Sequence, residues 1–167
     1  MSVTIRPAAA DDAAAIAAIY NEGIADRQAT FETVPRSSDD FAGPISDPAS
    51  PPFLVAATAD DVLGWARLTA YSTRDCYSGV GEASIYVGRA SRGQGVGHGL
   101  LDELTSTAER SGFWKLLALV FPVNEASVGL FTGAGWREVG VHLRHGRLDG
   151  EWRDVVVMER LLGEAAG

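Results

Sequence analysis

A single cysteine, Cys76, and a single lysine, Lys115, stand among 167 residues. No apolar run approaches the roughly 20 residues that a bilayer-spanning helix needs. The lone cysteine excludes an internal disulfide framework and suits a reducing compartment, so the cytoplasm is the expected address. Positive charge is scarce: 14 basic against 22 acidic residues leave a net charge of −8. Nucleic acid is bound through basic faces, so it is excluded as a general partner, and no membrane partner is expected. The opening Met1 to Ala10 carries Arg6 and Pro7 in a strand-like stretch and does not read as a signal peptide. His98, His142 and His145 lack ligand spacing with cysteine, so no metal site is expected.

What is present suits a folded chain. The hydrophobic fraction of 46% against 22% charged residues is that of a globular protein. The length predicts one domain over residues 1–167, with its core over about 3–162.

Strand and helix signals alternate without a repeat or a linker. Val3 to Arg6 reads as a short strand, and Asp11 and Asp12 as caps of an alanine-rich helix reaching about Gly23. Pro44, Pro48, Pro51 and Pro52 predict that any helix between Ser37 and Pro52 is short and broken. Phe53 to Ala57 and Val62 to Tyr71 form a hairpin pattern around Asp60–Asp61. Gly81 to Val87 alternates, with Ala83, Ile85 and Val87 on one side and Glu82, Ser84 and Tyr86 on the other. A helix over Gly95 to Arg110 and a buried strand over Lys115 to Phe121 follow. A helix over Asn124 to Thr132 then precedes strands over Trp136 to Arg144 and Trp152 to Leu161, with a turn at Leu148 to Gly150. The order predicts an α+β fold, a mixed, mostly antiparallel sheet flanked by helices with one central β-loop-α-β crossover.

The crossover carries the chemistry. After Ile85-Tyr86-Val87 the chain runs through Arg92-Gly93-Gln94-Gly95-Val96-Gly97-His98 into an amphipathic helix. Glycines let backbone amides approach a ligand, and a helix N-terminus favours an anion, so the segment reads as a phosphate or pyrophosphate cradle. The missing Gly-Lys-Ser/Thr ending excludes a nucleotide-triphosphate loop, and glycines at every second position do not give the dinucleotide fingerprint.

Arg92 to Gly97 resembles the pyrophosphate loop of the GNAT acetyltransferases. Asn124-Glu125-Ala126-Ser127, Leu130-Phe131 and Gly135-Trp136 resemble that family's second coenzyme-A motif. The resemblance covers nearly the whole chain and implies the GNAT fold, with acetyl-CoA as co-substrate. It implies that the backbone of Ile85, Tyr86 and Val87 pairs with the pantetheine arm and that Arg92 to His98 holds the pyrophosphate. Asn124 would bond near the pantetheine; its position also reads as a helix N-cap with Ser127 nearby.

Tyr20-Asn21, Thr30-Phe31-Glu32, Arg74-Asp75-Cys76-Tyr77, Glu82 to Val87 and Gly150 to Val155 are similar to the phosphinothricin N-acetyltransferases and their relatives that acetylate methionine derivatives. Phe113-Trp114-Lys115 and Arg144 to Asp154 most resemble the arsinothricin-resistance branch. The resemblance implies a small-molecule amine substrate, a homodimer, Glu82 as the catalytic base, and Arg74 at the substrate mouth gripping a distal oxyanion. Tyr77 would add a hydroxyl, Ser84 would line the site, and Thr30, Phe31 and Glu32 would form the opposite wall. Phe131 departs from the pattern: it stands where the family carries tyrosine or histidine, and it cannot protonate a leaving thiolate. Either the thiolate leaves with a proton from water, or another group such as His98 or Tyr86 serves, and the general acid has no assigned residue. Two other readings stay open, a GNAT enzyme acting on protein N-termini or lysines and a non-catalytic acyl-CoA sensor.

Overall fold

The computed structural model describes residues 2–167. In chain order the elements are β1 (Thr4–Pro7), α1 (Ala13–Asp26), α2 (Asp39–Ser46), β2 (Phe53–Ala57), β3 (Val62–Ala70), β4 (Val80–Val87), α3 (Val96–Arg110), β5 (Lys115–Val120), α4 (Glu125–Gly133), β6 (Arg137–Leu148) and β7 (Glu151–Leu161). The strands make one seven-stranded sheet in the order β1-β2-β3-β4-β5-β7-β6. Every neighbouring pair is antiparallel except β4 and β5, which the α3 crossover joins in parallel. Sequence and structure agree on this α+β arrangement.

Alternation along the strands decides which helices cover which face. Ala66, Leu68 and Ala83 turn toward α3 and pack with Leu100, Leu101 and Leu104, all buried. Each such leucine contributes about 1.5–3 kcal/mol of burial. Trp65 turns the other way, beneath α1 and α2, where it meets Ile16, Phe41, Phe53 and Val55. Tyr86 stacks on Trp65 with ring centroids 4.8 Å apart.

Several expectations shift in detail. Asp12 does not cap α1 through its side chain. Its carboxylate instead accepts from the Ala9 amide at 2.7 Å and takes both ends of the Arg6 guanidinium, so it braces the chain before the helix. The first helix runs past Gly23 to Asp26 and stops where Arg27 turns left-handed, with φ 58°. Pro44 lies inside α2, an eight-residue helix, as short as the prolines predict. β6 is longer than the expected Trp136–Arg144, because its pairing with β7 resumes after an irregularity between His142 and Gly146. The hairpin closes through Asp149 and Gly150, both at positive φ (50° and 83°), the geometry that an Asp-Gly turn supplies.

The pairing of β4 positions the site. On one side it pairs with β3 from Gly81 to Val87. On the other it meets β5 through only three residues, Val80, Gly81 and Glu82. Beyond Glu82 the two strands part, and a wedge opens in the sheet.

Candidate functional site

Three cavities surround the free part of β4. A groove runs over Ile85, Tyr86 and Val87 to the glycine loop and the start of α3. A narrow cleft fills the wedge, between Glu82 to Tyr86 on one side and Ala118 to Phe121 on the other. A pocket lies under α2, bordered by Tyr20, Glu32, Arg67, Thr69 and Ser84. Ile85, Tyr86 and Asn124 are shared by groove and cleft, while Ser84 and Tyr86 are shared by cleft and pocket. The three spaces thus meet along one strand.

The groove fits a pyrophosphate-bearing cofactor with a strand-like arm. Gly93 and Gly95 take φ of 71° and 82°, and a Cβ at either would point into open space. Side chains are excluded there by backbone strain, which leaves the loop bare at the N-terminus of α3. Gly97 is different: its close neighbour is Leu130 of α4, so its small size serves helix packing. Past Glu82 the β5-facing backbone of β4 has no strand to pair with, and buried backbone groups need partners. An extended amide chain laid in the groove would supply them.

The individual loop residues divide. Arg92, Gly93, Gly95, Val96, Gly97 and His98 border the groove. Arg92 is anchored on Asp26 at 3.0 Å and on the Val87 carbonyl at 3.1 Å, so its charge is held at the rim. Gln94 turns away and donates to the Ala90 carbonyl at 2.8 Å. Asn124 caps α4, its Oδ1 accepting from the Ser127 amide at 3.1 Å, and it also borders both groove and cleft. The two readings of Asn124 are compatible, because the cap leaves the Nδ2 donor without a partner among the described residues.

Glu82 enters the cleft half-buried, with no hydrogen bond or ion pair to a described residue. Burial raises its pKa above the ordinary carboxylate value. Such a group is better matched to accepting a proton near neutral pH than an exposed one. Phe131 is buried against Trp136 at 4.8 Å and closes the far end of the cleft with an apolar wall. The Tyr86 hydroxyl donates to the Ala29 carbonyl at 3.3 Å, and burial raises its pKa.

The substrate-side residues are split by the fold. Ser84 borders both cleft and pocket, and Glu32 borders the pocket. Glu32 is neutralised there by a two-pronged pair with Arg36, both contacts at 2.6 Å, which lowers its pKa. Thr30 lies behind, its hydroxyl 3.1 Å from that of Tyr20. Phe31 packs edge-on against Phe121 at 4.7 Å in a small cluster with Leu148 and Val155, supporting the cleft from outside. Arg74 and Tyr77 are exposed, with the guanidinium over the ring at 5.6 Å, and border neither cleft nor pocket.

Arg67 is the residue that sequence reasoning passed over. It sits on β3 directly across from Ser84 and faces the pocket, half-buried. The available signal was an arginine two residues after Trp65, the one charged residue of a mostly apolar strand, on the same face as that tryptophan. Among the described residues no helix is long and apolar enough to cross a membrane, and no cluster of potential metal ligands occurs.

Comparison with known proteins agrees with this geometry. Residues 16–136 match the Acetyltransferase (GNAT) family. The phosphinothricin N-acetyltransferase of Alcaligenes faecalis is 35% identical over 95% of this chain and 82% of its own length. A phosphinothricin acetyltransferase of Sinorhizobium meliloti, solved in complex with acetyl-CoA, superposes with a TM-score of 0.88 at 31% identity, covering 99% of this chain and 91% of that one. The ribosomal-protein-alanine N-acetyltransferase of Brucella melitensis superposes with a TM-score of 0.91 at 28% identity, over 95% of this chain and 99% of that one.

Proposed function

The chain belongs to the GNAT acetyltransferase family, and from that membership we propose that it acetylates the α-amino group of a small amino-acid-like substrate. The substrates proposed are phosphinothricin, arsinothricin and methionine sulfoximine or sulfone, and the outcome is detoxification. Acetyl-CoA is the co-substrate, and it supplies an acetyl group already activated as a thioester. The observation that carries the reading is the wedge beside β4, where the glycine loop, a free strand edge and Glu82 open into one continuous space.

In this reading the glycine loop and α3 hold the pyrophosphate, and β4 aligns the extended arm so that the thioester lies in the cleft. The acceptor enters from the pocket under α2, past Ser84. Glu82 takes one proton from its ammonium group, directly or through water. The freed nitrogen lone pair forms the new N–C bond as the C–S bond breaks, and the second proton on that nitrogen is lost to water. An amide near Val87 is the proposed donor to the carbonyl oxygen as charge gathers on it. Phe131 offers no proton and the Tyr86 hydroxyl is engaged with Ala29, so water is the proposed source for the departing thiolate.

The similarity to a ribosomal-protein-alanine acetyltransferase supports a second reading, acetylation of a protein N-terminus. Acetyl transfer measured across the four amino acids and an alanine-initial peptide separates the two. Turnover confined to the peptide would overturn the small-molecule reading, and acetyl-CoA binding without turnover of any amine would leave a sensor.

A homodimer and a cytoplasmic setting complete the proposal. The outer strand β6 exposes Val139, Val141 and Leu143, and an apolar sheet edge of this kind is ordinarily covered. Light scattering coupled to size exclusion tests this, with a monomer at micromolar concentration as the contrary result.

A further inference from the structure

The pocket under α2 contains two arginines in opposite circumstances. Arg36 is committed to Glu32 and, at 3.6 Å, to Asp40. Arg67 has no carboxylate within ion-pair distance among the described residues, and its guanidinium lies only over the Phe53 ring, 5.5 Å from the centroid. Burial lowers its pKa, and the Tyr20 phenol offsets only part of that loss of water. A half-buried cation with no carboxylate in ion-pair contact, in a pocket whose Glu32 and Asp40 are both held by Arg36, is costly to the fold unless something else supplies the anion.

Position says which part of an acceptor would meet it. Register places Arg67 across from Ser84, and Thr69 across from Glu82, so Arg67 lies one side-chain step along the sheet from the position facing Glu82, on the same face. Residues two apart on a strand are separated by about 6.6 Å. A carboxylate on the carbon that bears the reacting nitrogen stays close to Glu82, whereas a group at the end of the side chain reaches the depth of Arg67.

We propose that Arg67 is the specificity-determining cation of the acceptor pocket, binding an oxyanion at the far end of the substrate side chain and favouring amino acids with a second negative charge. This rests on the acetyltransferase reading above and names the substrate class within it. The guanidinium provides paired donors of the kind that phosphinates and carboxylates accept, and Tyr20, Trp65 and Tyr86 give the intervening methylenes an apolar wall.

L-phosphinothricin and L-methionine sulfone form the decisive pair. Their side chains have nearly the same shape, one ending in an anionic methylphosphinate and the other in a neutral methylsulfone. The parent should show the higher kcat/KM for phosphinothricin, and Arg67→Gln should lower the phosphinothricin-to-sulfone ratio by tenfold or more. Arg67→Lys should restore part of it by keeping the charge. Calorimetric binding of the same two ligands in the presence of coenzyme A gives a readout independent of turnover, and should show the same loss of preference. Equal losses for both ligands would assign Arg67 to the shared α-carboxylate and overturn the proposal, as would an unchanged ratio in a variant with parental Tm and acetyl-CoA affinity. Parent enzyme that binds phosphinothricin through Arg67 without acetylating any amine would defeat the acetyltransferase reading while upholding the pocket assignment.

Discussion

Glu82 and Glu159 flank the same residue, Leu117, from opposite sides, one on β4 and the other on β7. Three adjacent strands therefore place two carboxylates in one row, about 10 Å apart at the ordinary strand spacing. Glu159 is buried but fully answered: Lys115 contacts it at 2.6 Å and Arg137 holds its other oxygen. The Lys115 hydrogen bond, followed by that from Arg137, holds its pKa below the usual carboxylate range. Glu82 has no such partner, and burial pushes its pKa the other way. The sheet is continuous at Glu159 and opens at Glu82, so one carboxylate is part of the scaffold and the other is available to a ligand.

The contrast breaks most readily in activity. Glu82→Gln should lower turnover at pH 7 by roughly 10²–10⁴-fold, the range for loss of a general base. The deficit should shrink as pH rises toward the pKa of the free amine, which then deprotonates without help. Turnover near the parental value at pH 7, read from the pH–rate profile, would reduce Glu82 to a positioning residue. Glu159→Gln should leave kcat within a few-fold of the parent, since Glu159 borders none of the three cavities.

Cofactor binding should be independent of both carboxylates. Acetyl-CoA at 100 times its Kd stabilises a folded protein by about 2.7 kcal/mol, a rise in Tm that Glu82→Gln and Glu159→Gln should retain. Gly95→Val should abolish it, because valine at φ 82° strains the loop and covers its amides. A full ligand-induced shift in that variant would remove the glycine loop from the binding site.

In stability the order reverses. Glu159→Gln should cost about 1–3 kcal/mol by leaving Lys115 and Arg137 without their anion, which lowers Tm by several degrees in calorimetry. A parental Tm would show the network to be dispensable.

The smallest effect is in the pH dependence of stability. The folded pKa of Glu159 is depressed, so its contribution is present above the unfolded value of about 4.3 and fades as pH falls through the folded one. The folded pKa of Glu82 is raised, so its burial costs stability above that pKa and nothing below about 4.3. Denaturant titrations should therefore find Glu82→Gln at least as stable as the parent at pH 7, and the Glu159→Gln deficit shrinking in acid. A Glu82→Gln variant clearly less stable at pH 7 would mean that Glu82 has a partner in solution.

The legible parts of the site are the local ones. Gly93 and Gly95 announce a bare loop because only glycine takes their φ without strain, and the two-residue period of Ala83 to Val87 assigns each side chain a face. Arg74 and Arg67 show the limit. Both are arginines in or near strands, and resemblance favoured Arg74, which the fold leaves exposed on a loop beside Tyr77. Arg67 gains its position from the packing of α2 and α1 over β3, contacts between segments far apart in the chain.

Backbone conformation and side-chain period depend on neighbours a few residues away, and so the order of elements, the bare glycine loop and the face of β4 that carries Glu82 were determined by the sequence itself. The wedge beyond Glu82, the neutralisation of Glu32 by Arg36 and the isolation of Arg67 were decided by the tertiary structure. Ion pairing and desolvation depend on what stands within a few ångströms in space, and strand register, rather than sequence distance, brings Glu82 and Glu159 to the two sides of Leu117 and gives only one of them its cations.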